Sequence, residues 1–190
     1  MKTLILKDRK SMSYFAQDLA LLLRKTVEGA GSEVTCVTLN GDEILPCRGC
    51  FQCWVKTPGL CIMDSDSVND TGALLIQSDV VIFLSEICYG GFSYDIKSFL
   101  DRIIPNIMPY FEIVNGEMHH VKRYERFPVI VAIGYGDFVK EESQLFKEII
   151  VRNALNMRPP CHFAFTIENQ DKIDDVLRQL GTVLSEEVHT

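Results

Sequence analysis

The chain has no apolar run long enough to cross a bilayer. Its longest stretches, such as Val80-Val81-Ile82-Phe83-Leu84, fall far short of the roughly 20 residues a spanning helix needs. Basic residues are in the minority: 19 Lys and Arg stand against 26 Asp and Glu, a net charge of −7. That balance lacks the basic face that nucleic-acid phosphates require, so no nucleic acid is expected as a partner. No G-x-G-x-x-G occurs, and a dinucleotide site of that glycine-fingerprint type is not indicated. There is no Ser-His-Asp set with supporting motifs and no pair of acids placed for hydrolysis. The amino terminus, Met1-Lys2-Thr3-Leu4-Ile5-Leu6-Lys7, turns polar too soon for a secretory signal. A cytoplasmic protein with no membrane partner is expected.

What the chain does have is 190 residues at 47% hydrophobic content, enough for one sizeable core. A single domain spanning 1–190 is expected. Five β-branched-rich runs recur, each followed by a helical pattern. The runs are Thr3–Lys7, Glu33–Thr38, Val80–Leu84, Val129–Ile133 and Cys161–Ile167. The helices are expected over about 14–28, with Phe15, Leu19, Leu22 and Leu23 on one face, then from near Ser67, through Phe99 to about Ile103, over 141–155 and over 171–185. Strict alternation over five units predicts an α/β fold: a five-stranded parallel sheet with helices on both faces. Right-handed crossovers favour the flavodoxin-like strand order 2-1-3-4-5, a three-layer sandwich. An insertion near 105–128 carries Asn115-Gly116 between alternating residues, a hairpin signal.

Sheets of this kind bind ligands beyond the carboxyl ends of their strands. The loop after the first strand, Asp8 to Ser13, runs into a helix start, where unpaired N–H groups and the dipole favour an anion. Arg9, Lys10, Ser11 and Ser13 add charge and hydroxyls suited to a monophosphate, although either serine also reads as a plain helix cap. After the third strand come Ser85, Glu86, Ile87, Cys88, Tyr89, Gly90, Gly91 and Phe92. The glycine pair permits close backbone approach to a flat ligand, and Tyr89 and Phe92 are aromatics suited to flank a ring. After the fourth strand come Gly134, Tyr135, Gly136 and Asp137. Three such turns on one edge point together to a flat, phosphorylated cofactor.

The stretch Ser78–Ser85, then Tyr89-Gly90-Gly91, then Lys97-Ser98-Phe99-Leu100-Asp101-Arg102, resembles the NAD(P)H-dependent FMN reductase family, and within it the iron-sulfur flavoproteins and their cluster-free relatives. Cys47-x-x-Cys50-x-x-Cys53-Trp54, Cys61, Asp64 and Asp66 match the segment that subgroup carries before this strand. The resemblance implies FMN at the three turns, NAD(P)H as co-substrate, and a small-molecule or protein electron acceptor. It also implies a homodimer or homotetramer, with the insertion as partner surface or lid. The first turn departs from the family's Gly-Ser-Pro-Arg. Glu86 and Cys88 replace residues that are usually proline and small or apolar, and Glu86 is expected to point away from the flavin. Asp101-Arg102 is expected to pin its helix end near the flavin turn.

Seven cysteines occur, four of them in a C-x2-C-x2-C-x7-C segment at Cys47, Cys50, Cys53 and Cys61. Three thiolates two residues apart with a fourth nearby suit a cubane, and the resemblance implies a [4Fe-4S] centre there. Free or disulfide-forming thiols and a zinc site are the alternative readings. Cys36 and Cys161 are expected in the core. His119-His120, adjacent on a strand, are expected to face opposite sides and share no metal. Beside the FMN oxidoreductase stand two rivals: a non-catalytic electron carrier, and a degenerate member using its cysteines for thiol or metal sensing.

Overall fold

The computed structural model describes residues 1–9 and 14–186. Lys10, Ser11 and Ser13, and the side chain of Phe15, lie outside the described residues. The elements run β1 (Lys2–Lys7), α1 (Tyr14–Gly29), β2 (Glu33–Thr38), α2 (Gln52–Val55), α3 (Val68–Gln77), β3 (Val80–Cys88), β4 (Gly91–Phe92) and α4 (Tyr94–Arg102). They continue with β5 (Ile107–Val114), β6 (Glu117–Lys122), β7 (Val129–Tyr135), α5 (Lys140–Met157), β8 (His162–Ile167) and α6 (Ile173–Glu186).

The parallel strands order β2-β1-β3-β7-β8, which is the expected 2-1-3-4-5 arrangement. In register, Ile5 lies opposite Cys36 and Ile82, and Ile82 opposite Val131. Side chains alternate between faces. Ile5, Val80, Ile82, Leu84 and Val131 meet Leu19 and Leu23 of α1 and Leu177 and Leu180 of α6 on one side. Leu4, Leu6, Val81 and Phe83 meet Leu75 of α3 and Ile96 and Phe99 of α4 on the other. The central runs are apolar at every position because both faces are covered.

Edge strands differ. Cys36, expected in the core, is exposed on β2, and Cys161 is half-buried just ahead of β8. An edge strand has a neighbour on one side only, and most of β2's side chains reach solvent. The Asn115-Gly116 signal is realised: both residues have positive φ, 52° and 84°, and join β5 to β6 antiparallel. The hairpin's histidines point apart as expected. His119 is buried against Asn156, while His120 bonds Met108 O and packs on Phe111.

Candidate functional site

Three strand ends converge on one side chain. Asp8, directly after β1, is fully buried. Its carboxylate accepts the Glu86 N–H at 2.7 Å from β3 and the Tyr135 hydroxyl at 2.5 Å from β7. Its own N–H donates to Leu84 O at 3.3 Å. Burial pushes the Tyr135 phenol well above its usual range, and the carboxylate that takes its hydrogen bond pushes it further. Asp8 thus ties the carboxyl ends of β1, β3 and β7 together; the rest of the first turn lies outside the described residues.

Arg9 stands beside this junction with its charge already matched. Its guanidinium pairs with Asp42 at 2.7 Å and Asp95 at 3.0 Å, and its backbone N–H also donates to Asp95. Asp95, buried in the first turn of α4, accepts the Gly41 N–H at 2.7 Å as well. Burial alone would raise the Asp95 carboxyl, but the bonds from Arg9 and Gly41 outweigh it and hold it below its ordinary 3.8. Arg9 thus braces the start of α4, and a phosphate would have to compete with two carboxylates for it.

The glycine turn is a hairpin rather than a simple strand-to-helix turn. Strand β3 runs on to Cys88, and β4 folds back so that Cys88 faces Gly91. Tyr89 and Gly90 both have positive φ, 50° and 75°, the type I′ geometry of two-residue hairpins. A Cβ on Gly90 would come within 2.7 Å of Leu145. Tyr89 is 94% exposed. Phe92 turns inward onto Phe83 and Phe146, and Ile87 is buried with Ala132, so neither offers its side chain to the rim. Ser85, also buried, accepts the Ser93 N–H at 2.9 Å and so fastens β4 to β3. Gly134 is pressed against Ile87 and Phe146; Gly136 (φ 123°) lies beside Glu86, and Asp137 is exposed.

Beside the β1 and β3 ends and the start of α4 lies a cleft of about 340 Å³; the described residues that line it are Arg9, Glu86, Cys88, Ser93, Tyr94 and Asp95, and Gly134, Tyr135, Gly136 and Asp137 of the turn after β7 are not among them. Glu86, expected to turn away, lines it, because alternation along β3 buries Ser85 and Ile87 and leaves Glu86 on the open side. The Cys88 thiol lies 3.6 Å from its carboxylate. Ser93 closes the turn after the third strand, and the sequence reading gives it no role. Among the described residues its buried Oγ, in the cleft wall, has no hydrogen-bond partner. The available signal was a serine at the start of a helix immediately after a glycine turn.

The four clustered cysteines form a second locus. Cys47, Cys50, Cys53 and Cys61 line a single small cavity of about 50 Å³ together with Phe51, Met63, Arg102 and Ile104. The short α2, unforeseen in the sequence, carries the buried Cys53. Burial raises the Cys53 thiol, and the neighbouring Cys61, Cys50 and Cys47 raise it further. No disulfide joins any of the seven cysteines, all of which are among the described residues. Among the described residues, no three His, Cys, Asp or Glu side chains gather closely enough to hold one metal ion. Arg102, expected near the flavin turn, instead clamps this segment. It donates to Leu45 O at 2.5 Å and Met63 O at 2.9 Å, and pairs with Asp66 at 2.8 Å, its own side chain out of contact with solvent. Asp101 pairs with Lys97 on the surface, and Asp64 is exposed.

No protein-family model matches the chain. It is 30% identical over 152 residues to the iron-sulfur flavoprotein of Archaeoglobus fulgidus, covering 66% of this chain and 68% of that one. Among solved structures, it is similar to the NAD(P)H:quinone oxidoreductase of Methanothermobacter marburgensis, with a TM-score of 0.70 at 10% identity over 100% of this chain and 98% of that one. An azoreductase from Bacillus anthracis gives 0.64 at 12% identity over 99% and 96%. Flavodoxin 1 from Bacillus cereus gives 0.56 at 11% over 97% of each chain. At these identities the structural likenesses establish the flavodoxin-like fold.

Proposed function

The chain belongs to the iron-sulfur flavoprotein group of the flavodoxin-like, NAD(P)H-dependent FMN reductase family, and from that membership we propose that it is an FMN-dependent oxidoreductase. It draws hydride from NAD(P)H and passes electrons to a small-molecule or protein acceptor. When bound, FMN supplies both the two-electron and the one-electron chemistry. The observation that carries this reading is Ser93 Oγ, a buried hydroxyl in the cleft wall that has no partner among the described residues. Such a group is costly unless something polar occupies the cleft.

The other residues have defined work in this reading. Asp8 ties the β1, β3 and β7 ends into one rim. Gly90 and Gly91 keep the β3–β4 turn slim, and Tyr89 offers an exposed flat face. Arg9 and Asp95 fix the start of α4 as a rigid wall. Cys47, Cys50, Cys53 and Cys61 hold a [4Fe-4S] cluster, supported by their sharing one cavity and by the relative's name. A cluster bonds its thiolates at separate irons, so it does not require them to meet at one point. When bound, it supplies one-electron transfer. Seven cysteines without a disulfide suit the reducing cytoplasm. Association into a homodimer or homotetramer is supported by the β5–β6 face, where Tyr110, Phe111, Ile113 and Met118 are exposed.

The test is anaerobic titration with FMN followed by NAD(P)H, read in the visible spectrum. FMN should bind, and its absorbance should bleach on adding NAD(P)H. Ser93→Ala should weaken FMN about tenfold, about 1.4 kcal/mol. A protein that binds no FMN sinks the proposal. One that binds FMN yet bleaches only with a protein reductant is an electron carrier.

A further inference from the structure

Arg102 is the largest of the fully buried side chains, and its charge is costly to bury. Asp66 compensates that charge, and the two Nη atoms reach the carbonyls of Leu45 and Met63. These carbonyls flank Cys47 to Cys61 in sequence, so one guanidinium closes both ends of the cysteine segment. Clamping uses only the Nη hydrogens. The Nε–H is left buried with no partner among the described residues. A purely structural clamp would not need to strand its fifth donor, which carries the full cost of desolvation.

The orientation of that donor follows from the planar fork. Asp66 meets Nη1 and Nη2 together, at 2.8 and 3.4 Å, and so occupies the end between them. The remaining Nη2 hydrogen, given to Met63 O, lies on the Nε side. Nε–H therefore lies on the side of the Met63 carbonyl; Met63 and Arg102 both line the cysteine cavity, and Arg102 also lines the small cavity beside Asn69 and Asn106. In the cysteine cavity's wall, every side chain with an acceptor atom offers sulfur: the four cysteines and Met63.

We infer that Arg102 is a positioning residue of the cysteine cavity, whose Nε–H donates a hydrogen bond to the sulfur of the group the four cysteines hold. This rests on the cluster reading above. A donor and a buried cation beside a sulfur cluster favour its reduced, more negative state, so they raise its potential.

The test compares the parent protein and Arg102→Lys after anaerobic reconstitution with ferrous iron and sulfide. Iron and sulfide content are matched, and midpoint potentials are taken by dye-mediated titration. Lysine keeps the charge and lacks the fork. Its one-electron reduction should be about tenfold less favourable, a fall of about 59 mV. A second measurement needs no substitution. In parent protein labelled with ¹⁵N-arginine, spin-echo spectra of the reduced cluster should show nitrogen coupling, and this decides the matter if the variant does not fold. A parent that takes up no cluster sinks the cluster reading and the inference with it. A parent that loads but shows no ¹⁵N coupling, with an unchanged potential in Arg102→Lys, overturns the inference alone. The donor is then met by water in the adjoining small cavity beside Asn69 and Asn106.

Discussion

Asp8 holds the ends of three strands with two carboxylate oxygens, and neither bond is replaceable by solvent, since the residue is fully buried. Tyr135→Phe removes one donor to this buried carboxylate. It should cost about 1.5–3 kcal/mol, the usual worth of a hydrogen bond to a charged group, read as a lower urea midpoint. The pH dependence has a definite sign. Tyr135 is raised above its ordinary 10 in the fold, so the protonated form is favoured there. The contribution is complete below about pH 10 and is lost as pH rises further, because only the unfolded chain ionises freely. The alkaline loss of stability should accordingly be shallower in Tyr135→Phe; an identical alkaline limb would show that Tyr135 does not resist ionisation.

At the scale of an element, the β3–β4 hairpin places a non-glycine residue, Tyr89, in the left-handed region and leaves its ring 94% exposed. Strain held at a rim marks a residue kept for its side chain. Tyr89→Gly should raise stability by about 0.5–1 kcal/mol as the strain is relieved. It should also weaken FMN by about 0.5–1.5 kcal/mol, the worth of an aromatic stack. Denaturant unfolding and FMN titration measure the two effects. Gain of stability without loss of FMN affinity would remove Tyr89 from the site. The neighbouring glycine behaves oppositely, since its φ of 75° and the 2.7 Å approach to Leu145 leave no room for a Cβ.

For the whole molecule, a cofactor that binds only the folded chain adds stability by mass action. Protein with FMN at 100 times its Kd should gain about 2.7 kcal/mol over the stripped protein, or roughly 5–11 °C in Tm for a chain of this size. Calorimetry of the two forms checks this, and an unchanged Tm would mean that the cleft does not take FMN. The acidic surface, at −7, works against phosphate. Arg9, the cation described at the rim, is already shared between Asp42 and Asp95.

Strand order, the two-sided core and the Asn115-Gly116 hairpin were determined by the sequence alone. Each is encoded in a window of a few residues: period-2 or continuous apolar runs, helical repeats and turn chemistry. The pattern also predicted that three turns would share a rim, and that four cysteines would form one group. What joins them was decided only in three dimensions. Asp8 finds partners 78 and 127 residues away, Arg102 finds Leu45 57 residues away, and Ser93 Oγ finds none among the described residues. Cys36 is exposed because the strand order, already expected, leaves β2 at the edge, and Glu86 faces the cleft because β3 runs on past Leu84. Local periodicity specifies which face a side chain takes within its element. Which group it meets there depends on elements packed from distant parts of the chain, and the chemistry of both sites rests on those meetings.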